Sequence, residues 1–406
     1  MTAPLDDVKV LDLTNWMAGP SAAAILADLG ADVIKVEPLT GDVVRGKSRL
    51  PKPGPGIPDV DAGFEADNRG KRSIAVALDK PEGAALVQRL VGGVDVFLCN
   101  LLPHRQARFG LDSATLFTHN ARLVHATFSG YGLSGPDMNR PGFDVTTFFA
   151  RGSLIDSMTE PGGIPPQVRP AQGDHTSSLA LVAGILAALR LAERTGKGQV
   201  LDCNLLATAA WTVTSELAPT LVDGHQAGRR DRRHTIVALA NRFRCKDNRW
   251  IVLNMTEIRY WPVFCDLVGR PEWITDARYQ SAKNRFDNMG ELTDLMDELF
   301  TSRTMPEWGV LLDGAGLIWG PAATLLELSK DPQLEAIGMY PYIEHPKGRF
   351  RTVAAPMFIH GSDVGPRGPA PELGQHTAEV LAAGGLNDDE ITSLISAGII
   401  GTHQPL

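Results

Sequence analysis

The sequence is short of cysteine, with Cys99, Cys203, Cys245 and Cys265 the four in 406 residues. They lie too far apart for a metal knuckle or a disulfide framework, and such usage suits a reducing compartment. Positive charge is not in excess: 39 lysines and arginines face 47 acids, for a net charge of −8. That balance excludes a general electrostatic footprint for nucleic acid, while a local basic patch for a phosphorylated ligand stays open. Long hydrophobic runs are missing. The longest, Leu179 to Leu189, is too short to span a bilayer. The opening Met-Thr-Ala-Pro-Leu-Asp-Asp lacks the basic-then-apolar order of a signal peptide, so a soluble cytoplasmic protein is expected. No G-x-G-x-x-G follows the first predicted strand, no G-x-S-x-G occurs, and no His/Cys/Asp cluster has metal spacing. Dinucleotide binding, serine hydrolysis and a metal centre therefore have no sequence support, and no permanently bound cofactor is expected.

What is present is organised around residues 173–205. Asp174 opens a group of cap-type residues, His175 to Ser178, ahead of an Ala/Leu-rich helix that Arg190, Arg194 and Gly196 bring to an end. An acid just ahead of a helix favours its charged form by about 0.3–1 kcal/mol. Such a carboxylate can cap the helix, bind a cation or act as a nucleophile, and spacing alone leaves all three open.

Upstream, Val8–Thr14, an Ala-rich helix from Ser21 to Leu29 and a strand to Glu37 predict a β-α-β unit, hence a parallel sheet with helices on both faces. Residues 38–66 read as a long surface loop. Lys71 and Arg72 then stand on a turn, placed either to hold phosphates or as a solvated face. Further strands are predicted at 74–78, 94–99 and 122–128. The last runs into the Gly-rich loop Ser129–Pro136, which suits close approach to a ligand. Asp144 precedes another predicted helix, where a cap is its simplest role. After Asp202 a helix is predicted over 205–221, then strands near 235–239, 242–250 and 251–255, and helices over 260–268 and 281–300. Trp261, Trp273 and Trp308 read as core residues. The domains expected are a large Rossmann-like parallel-sheet domain over 1–225, a smaller α+β domain over 226–325, and a segment 326–406 returning to the first.

Gly173-Asp174, the following helix, Arg194-Thr-Gly-Lys-Gly-Gln-Val-Leu-Asp202, Ala18-Gly-Pro20 and Leu26 to Glu37 resemble the family III CoA-transferases. That CaiB/BaiF family also holds the 2-methylacyl-CoA racemases. Asn100-x-x-Pro103, Arg108-x-Gly110, Trp261-Pro, Arg270-Pro-Glu-Trp273 and the segment 373–380 extend the resemblance over nearly the whole chain. It implies an α/β fold whose large domain combines N- and C-terminal segments, in an interlocked homodimer. It implies Asp174 as nucleophile, assisted by Asp144, and a CoA cleft touched by Met17, Ala18, Lys71, Arg72, Asn100, Leu101, Arg108 and Phe109. Several relatives carry a catalytic Gln at the place of Met17, which reads here as packing. The racemase branch has a catalytic His at the place of Phe143, which has no titratable proton. A glycine-rich flap of some oxalate-type members is absent between Ala238 and Tyr260.

The expected function is transfer of CoA from an acyl-CoA to a free carboxylic acid through an aspartyl-CoA thioester on Asp174. This chemistry uses acyl-CoA and an acid as its small-molecule partners and takes no metal. The ordinary aspartate pKa of about 3.9 supplies the ionised nucleophile, and the helix start with the Gly130–Gly135 loop supplies oxyanion donors. A 2-methylacyl-CoA racemase and a non-catalytic acyl-CoA binder are the alternatives.

Overall fold

Val10 and Leu11 point to opposite faces of the first strand and both are fully buried, so that strand must be covered on two sides. A computed structural model describes residues 2–48 and 54–403 and shows how. Six parallel strands, β1 (Lys9–Leu13), β2 (Asp32–Glu37), β3 (Arg72–Val76), β4 (Val96–Cys99), β5 (Val124–Ser129) and β6 (Gln199–Asn204), lie in the order β3-β2-β1-β4-β5-β6. A seventh, Ile400–Gly401, pairs antiparallel on the outer side of β3. The fold is α/β with a mostly parallel central sheet. Val10, Val33, Leu98 and Ala126 face one core, and Leu11, Ile34, Phe97 and Cys99 the other.

Helices follow the strands: α1 (Ala18–Asp28), α2 (Ala62–Asn68), α3 (Pro81–Val91), α4 (Pro103–Arg108), α5 (Ser113–His119), α6 (Leu154–Met158) and α7 (Gln172–Thr195). Every residue of α1 is buried, and its alanines let it lie close against α7 on the first core. Leu86, Val87 and Leu90 of α3, with Val380 and Leu381 of the helix Thr377–Ala383, cover the second. The chain order reverses between β1 and β4, and in such sheets the crevice beyond the carboxyl ends at the reversal is where ligands bind.

Four buried charges stand at that end. Lys35 is fully buried and donates to the Asp42 carboxylate (2.8 Å) and to the Thr14 carbonyl (2.9 Å). Lys71 donates to Asp12, the Pro20 carbonyl and Asn68, each at 2.9 Å. Burial works against the Asp12 carboxylate, but the Lys71 and Lys35 ammonium groups overcome it and hold its pKa below the usual range. Removing one member of such a set leaves an uncompensated buried charge, at a cost of about 3–5 kcal/mol.

Contacts divide the chain into two units. One comprises Met1–Ile155, Gln167–His225 and Gln333–Leu406; the other comprises Asp156–Pro166 and Gln226–Pro332. Residues 156–166 fall with the second unit, and the return falls at 333 rather than 326. The second unit holds the antiparallel sheet β7 (Ala240–Arg244), β8 (Trp250–Asn254) and β9 (Trp319–Pro321), packed with helices around buried Trp261, Trp273 and Trp308.

Several element expectations need correction. Residues 38–66 are not simply a surface loop: Asp42, Val44, Asp61, Phe64 and Glu65 are buried and α2 begins at Ala62, while 49–53 lie outside the described residues. The helix over 205–221 is two, Leu205–Thr212 and Thr214–Asp223, parted at Val213. Residues 235–239 form no strand, β7 starting at Ala240. The helix over 281–300 is broken at Asn288, between Ala282–Asp287 and Met289–Phe300. Finally, α7 runs well beyond its apolar stretch. Its 24 residues are long and apolar enough to cross a membrane by length and composition, yet they pack against α1, β5 and β6.

Candidate active site

The start of α7 is set by Ala171, which takes the left-handed conformation at φ +75°. Asp174 therefore lies inside the first turn rather than ahead of it. It caps nothing, and its carboxylate accepts no hydrogen bond from the described residues. One residue earlier, Gly173 is buried against the π-type helix Val145–Arg151. A β-carbon there would stand 2.2 Å from Asp144 Oδ1 and 2.4 Å from the Phe148 ring. Only glycine permits that approach, and it brings a second carboxylate beside the first.

Asp144 does not cap either. It occupies the N-cap position of Val145–Arg151 without a side-chain cap bond. It is 4% exposed, and neither carboxylate oxygen completes a hydrogen bond with the described residues. Burial raises its pKa, and the facing amides of Ala171 and Gly173 oppose the rise only in part. The buried hydroxyls of Thr147 and Ser177 are likewise without partners among the described residues. Ser177 lies one helical turn from Gly173, on the same face of α7.

Asp174 is pushed up to about 7, first by burial and then by Asp144, with His175 opposing. The expectation of an ordinary carboxylate, ionised far below neutrality, is thus corrected: a few tenths of a kcal/mol from the helix dipole cannot offset a neighbouring charge in a desolvated site. His175 is raised, chiefly by its hydrogen bond to Asp67. Its Nε2 lies 3.0 Å from Asp67 Oδ1, and the same oxygen accepts from Ser21 Oγ at 2.7 Å. Asp67 and His175 were not legible as site residues, because α2 and α7 are far apart in sequence and only the fold joins them.

The other expected residues separate into two groups. Asn100 follows β4 and exchanges hydrogen bonds with the Asn15 backbone, its Nδ2 donating to the carbonyl at 2.8 Å. That pins the loops after β1 and β4 together, with Met17 and Ala18 on one and buried Leu101 on the other. Arg108 at the end of α4 is exposed, lies 5.4 Å from the Phe109 ring, and has no carboxylate within 4 Å among the described residues. Lys71 and Arg72 are placed otherwise. The Lys71 ammonium is buried with its three hydrogens engaged, and burial pulls its pKa down to about 8. Arg72 is engaged by Asp32 and Glu379. As placed, the Lys71 ammonium has no hydrogen left for a phosphate, and Arg72 is held between two carboxylates.

Trp16, just before Met17, adopts φ +71° despite its bulk, and strain of that kind gathers at functional sites. Its ring meets Phe143 edge-on at 5.0 Å. The Gly-rich loop is less free than expected. Gly130 and Gly142 lie back to back, and the amides of Gly132 and Leu133 donate to Ser129 Oγ and Asp202.

A desolvated pair of carboxylates beside an imidazole, at the carboxyl edge of a parallel α/β sheet, is equipped for acyl or carboxylate transfer. The sequence model of CoA-transferase family III matches residues 5–377, and the chain belongs to that family. It is similar to the (R)-2-hydroxy-4-methylpentanoate CoA-transferase of Clostridioides difficile, 29% identical over 98% of this chain and 99% of that one. It is 31% identical to the human succinyl-CoA:glutarate CoA-transferase, over 99% and 91% respectively. A crystal structure of a CaiB/BaiF family protein from Brucella suis superposes with TM-score 0.82 at 30% identity, covering 95% of this chain and all of that one.

The raised pKa has a stability consequence. The folded value of Asp174 lies above the unfolded one, so its contribution is full below about pH 4 and is lost as pH rises through about 7. Asp174→Asn should raise Tm at pH 8 by roughly 2–5 °C and leave it nearly unchanged at pH 4. Equal shifts at both pH values, read by calorimetry, would show that Asp174 is not desolvated.

Proposed function

We propose that this family III CoA-transferase moves CoA from an acyl-CoA thioester to a free carboxylic acid, with Asp174 as nucleophile. The observation that carries the reading is the Asp174 carboxylate: it lies in the first turn of α7, accepts no hydrogen bond from the described residues, and stands beside a second carboxyl group.

An ionised Asp174 oxygen adds to the thioester carbonyl. The C–S bond breaks and CoA leaves as thiolate, giving a mixed anhydride. The thiolate then attacks the Asp174 carbonyl and expels the donor acid, which leaves an aspartyl-CoA thioester. The acceptor carboxylate attacks that thioester and releases the thiolate again. Attack of thiolate on the acceptor acyl carbon forms the new acyl-CoA and restores Asp174. Thioester replaces thioester, so no outside energy source enters. Asp144, whose pKa burial raises from the ordinary carboxylate value, stands beside Asp174 to assist the covalent intermediate. His175, held by Asp67, favours the ionised form of Asp174.

The CoA cleft is read at the carboxyl ends of β1 and β4, around Met17, Ala18, Asn100, Leu101, Arg108 and Phe109. Support comes from the joined loops and from Arg105 and Arg108, neither of which has a carboxylate within 4 Å among the described residues. A racemase would need a base at Phe143, whose ring is instead packed on Trp16. Cytoplasmic placement is supported by the four free cysteines. An interlocked homodimer is supported by exposed apolar side chains late in the chain, among them Leu325, Leu326, Tyr342, Val353 and Phe358. Light scattering at the mass of one chain would count against it.

Asp174→Asn keeps the shape and removes the nucleophile. Exchange of CoA between a labelled free acid and acyl-CoA donors should fall by at least about 10³-fold, with the chain still folded by circular dichroism. Exchange within tenfold of the parent would overturn the assignment.

A further inference from the structure

In the second unit, a cavity of about 50 Å³ lies beneath residues 236–239 and 255–258. Its wall is mostly apolar, with Ala238, Leu239 and Met255 buried, but two further buried residues lining it, Trp261 and Arg285, carry donors. Arg285 is 8% exposed and has no carboxylate within 4 Å among the described residues. One hydrogen bond is made by its guanidinium, from Nη1 to the Tyr279 carbonyl at 2.8 Å. Its Cζ lies 4.7 Å from the centre of the Trp261 ring. Trp261 is 4% exposed, and its indole N–H has no partner among the described residues.

A buried cation without a counter-ion is unfavourable, and stacking on an indole replaces only part of its lost hydration. A buried N–H without an acceptor is unfavourable as well. Both residues line the same small cavity. Glu257, also in its wall, is paired outward with Arg259 at 2.9 Å. That leaves Arg285 as the charged residue of the wall without an ion pair among the described residues. Its size suits a planar group of three or four heavy atoms. At the rim stand Ile236 and Ile258, 81% and 73% exposed, which offer apolar surface to a short tail.

We propose that this cavity is a binding site for a short monocarboxylate, its carboxylate held by Arg285 and the Trp261 N–H and its tail lying on Ile236 and Ile258. Guanidinium is the side chain best suited to a carboxylate, since its planar fork can donate two parallel hydrogen bonds. The site lies wholly within the second unit and does not rest on the role of Asp174.

The test is thermal unfolding of the full chain against propionate, with sodium chloride holding ionic strength constant and propionamide as the uncharged control. Propionate raises Tm saturably, with half-effect on the order of millimolar as its few heavy atoms allow. Propionamide does not. Arg285→Gln removes the rise, Trp261→Phe weakens binding roughly fivefold, and Asp174→Asn retains it. If Arg285→Gln does not fold, Arg285→Lys serves in its place: the charge stays, the fork is lost and binding weakens. The proposal is overturned if propionate gives no saturable rise, if propionamide matches it, or if the rise survives unchanged in the Arg285 variants. It is overturned equally if propionate has no effect while Arg285→Gln converts a dimer to single chains, which would assign the cavity to a carboxylate of a second copy.

Discussion

Gly173 has no side chain, and the site depends on that. Any β-carbon at this position would strike Asp144 and Phe148, forcing α7 away from the helix Val145–Arg151. With glycine there, the first turn of α7 closes on the Asp144 carboxylate and two acids share a desolvated corner. Two unusual properties go with the contact: Asp144 is buried without hydrogen-bond partners among the described residues, and Asp174 rises to about 7 through burial and the nearby Asp144. His175 is raised separately, chiefly by its hydrogen bond to Asp67. Like charges in one dry site push ionisation upward, and a single imidazole offsets part of that. An acid that ionises near neutrality is a better nucleophile than one stabilised as a free carboxylate, because less solvation has to be lost before attack.

The corner is useful only if the loops opposite hold still, and a second set of charges sees to that. Lys35 and Lys71 are buried beneath the carboxyl ends of β1 and β2 and donate to the Thr14 and Pro20 carbonyls. Those two carbonyls bracket the turn that carries Trp16, Met17 and Ala18. Asn100 fixes the same turn from the side of β4. The basic residues that stand nearest the first crossover in sequence thus serve the scaffold. Exposed Arg105 and Arg108, beyond β4, have no carboxylate within 4 Å among the described residues.

Much of this was legible from residues alone. The strands predicted at 8–14, 74–78, 94–99 and 122–128 fall in the large sheet, and the acid-then-Ala/Leu order located α7 and its terminal glycine, though not its first turn. The break at Val213 was not legible, because the apolar pattern runs through it and the interruption is set by packing. Nor was the burial of Lys71, since a Lys-Arg pair on a turn reads the same whether its amine meets water or a buried aspartate. The Asp67–His175 pair escaped for a plainer reason. Nothing in a linear order of residues brings position 67 to position 175 until α1, α2 and α7 have packed.

The most direct measurement is trapping of the covalent intermediate. The chain is mixed with an acyl-CoA in the absence of acceptor, quenched with hydroxylamine, digested and read by mass spectrometry. An Asp174 thioester or anhydride becomes a hydroxamate, so the peptide containing residue 174 gains about 15 Da, and the gain needs acyl-CoA. A gain on another acidic residue, or none while exchange between acyl-CoA and acid proceeds, would contradict the account.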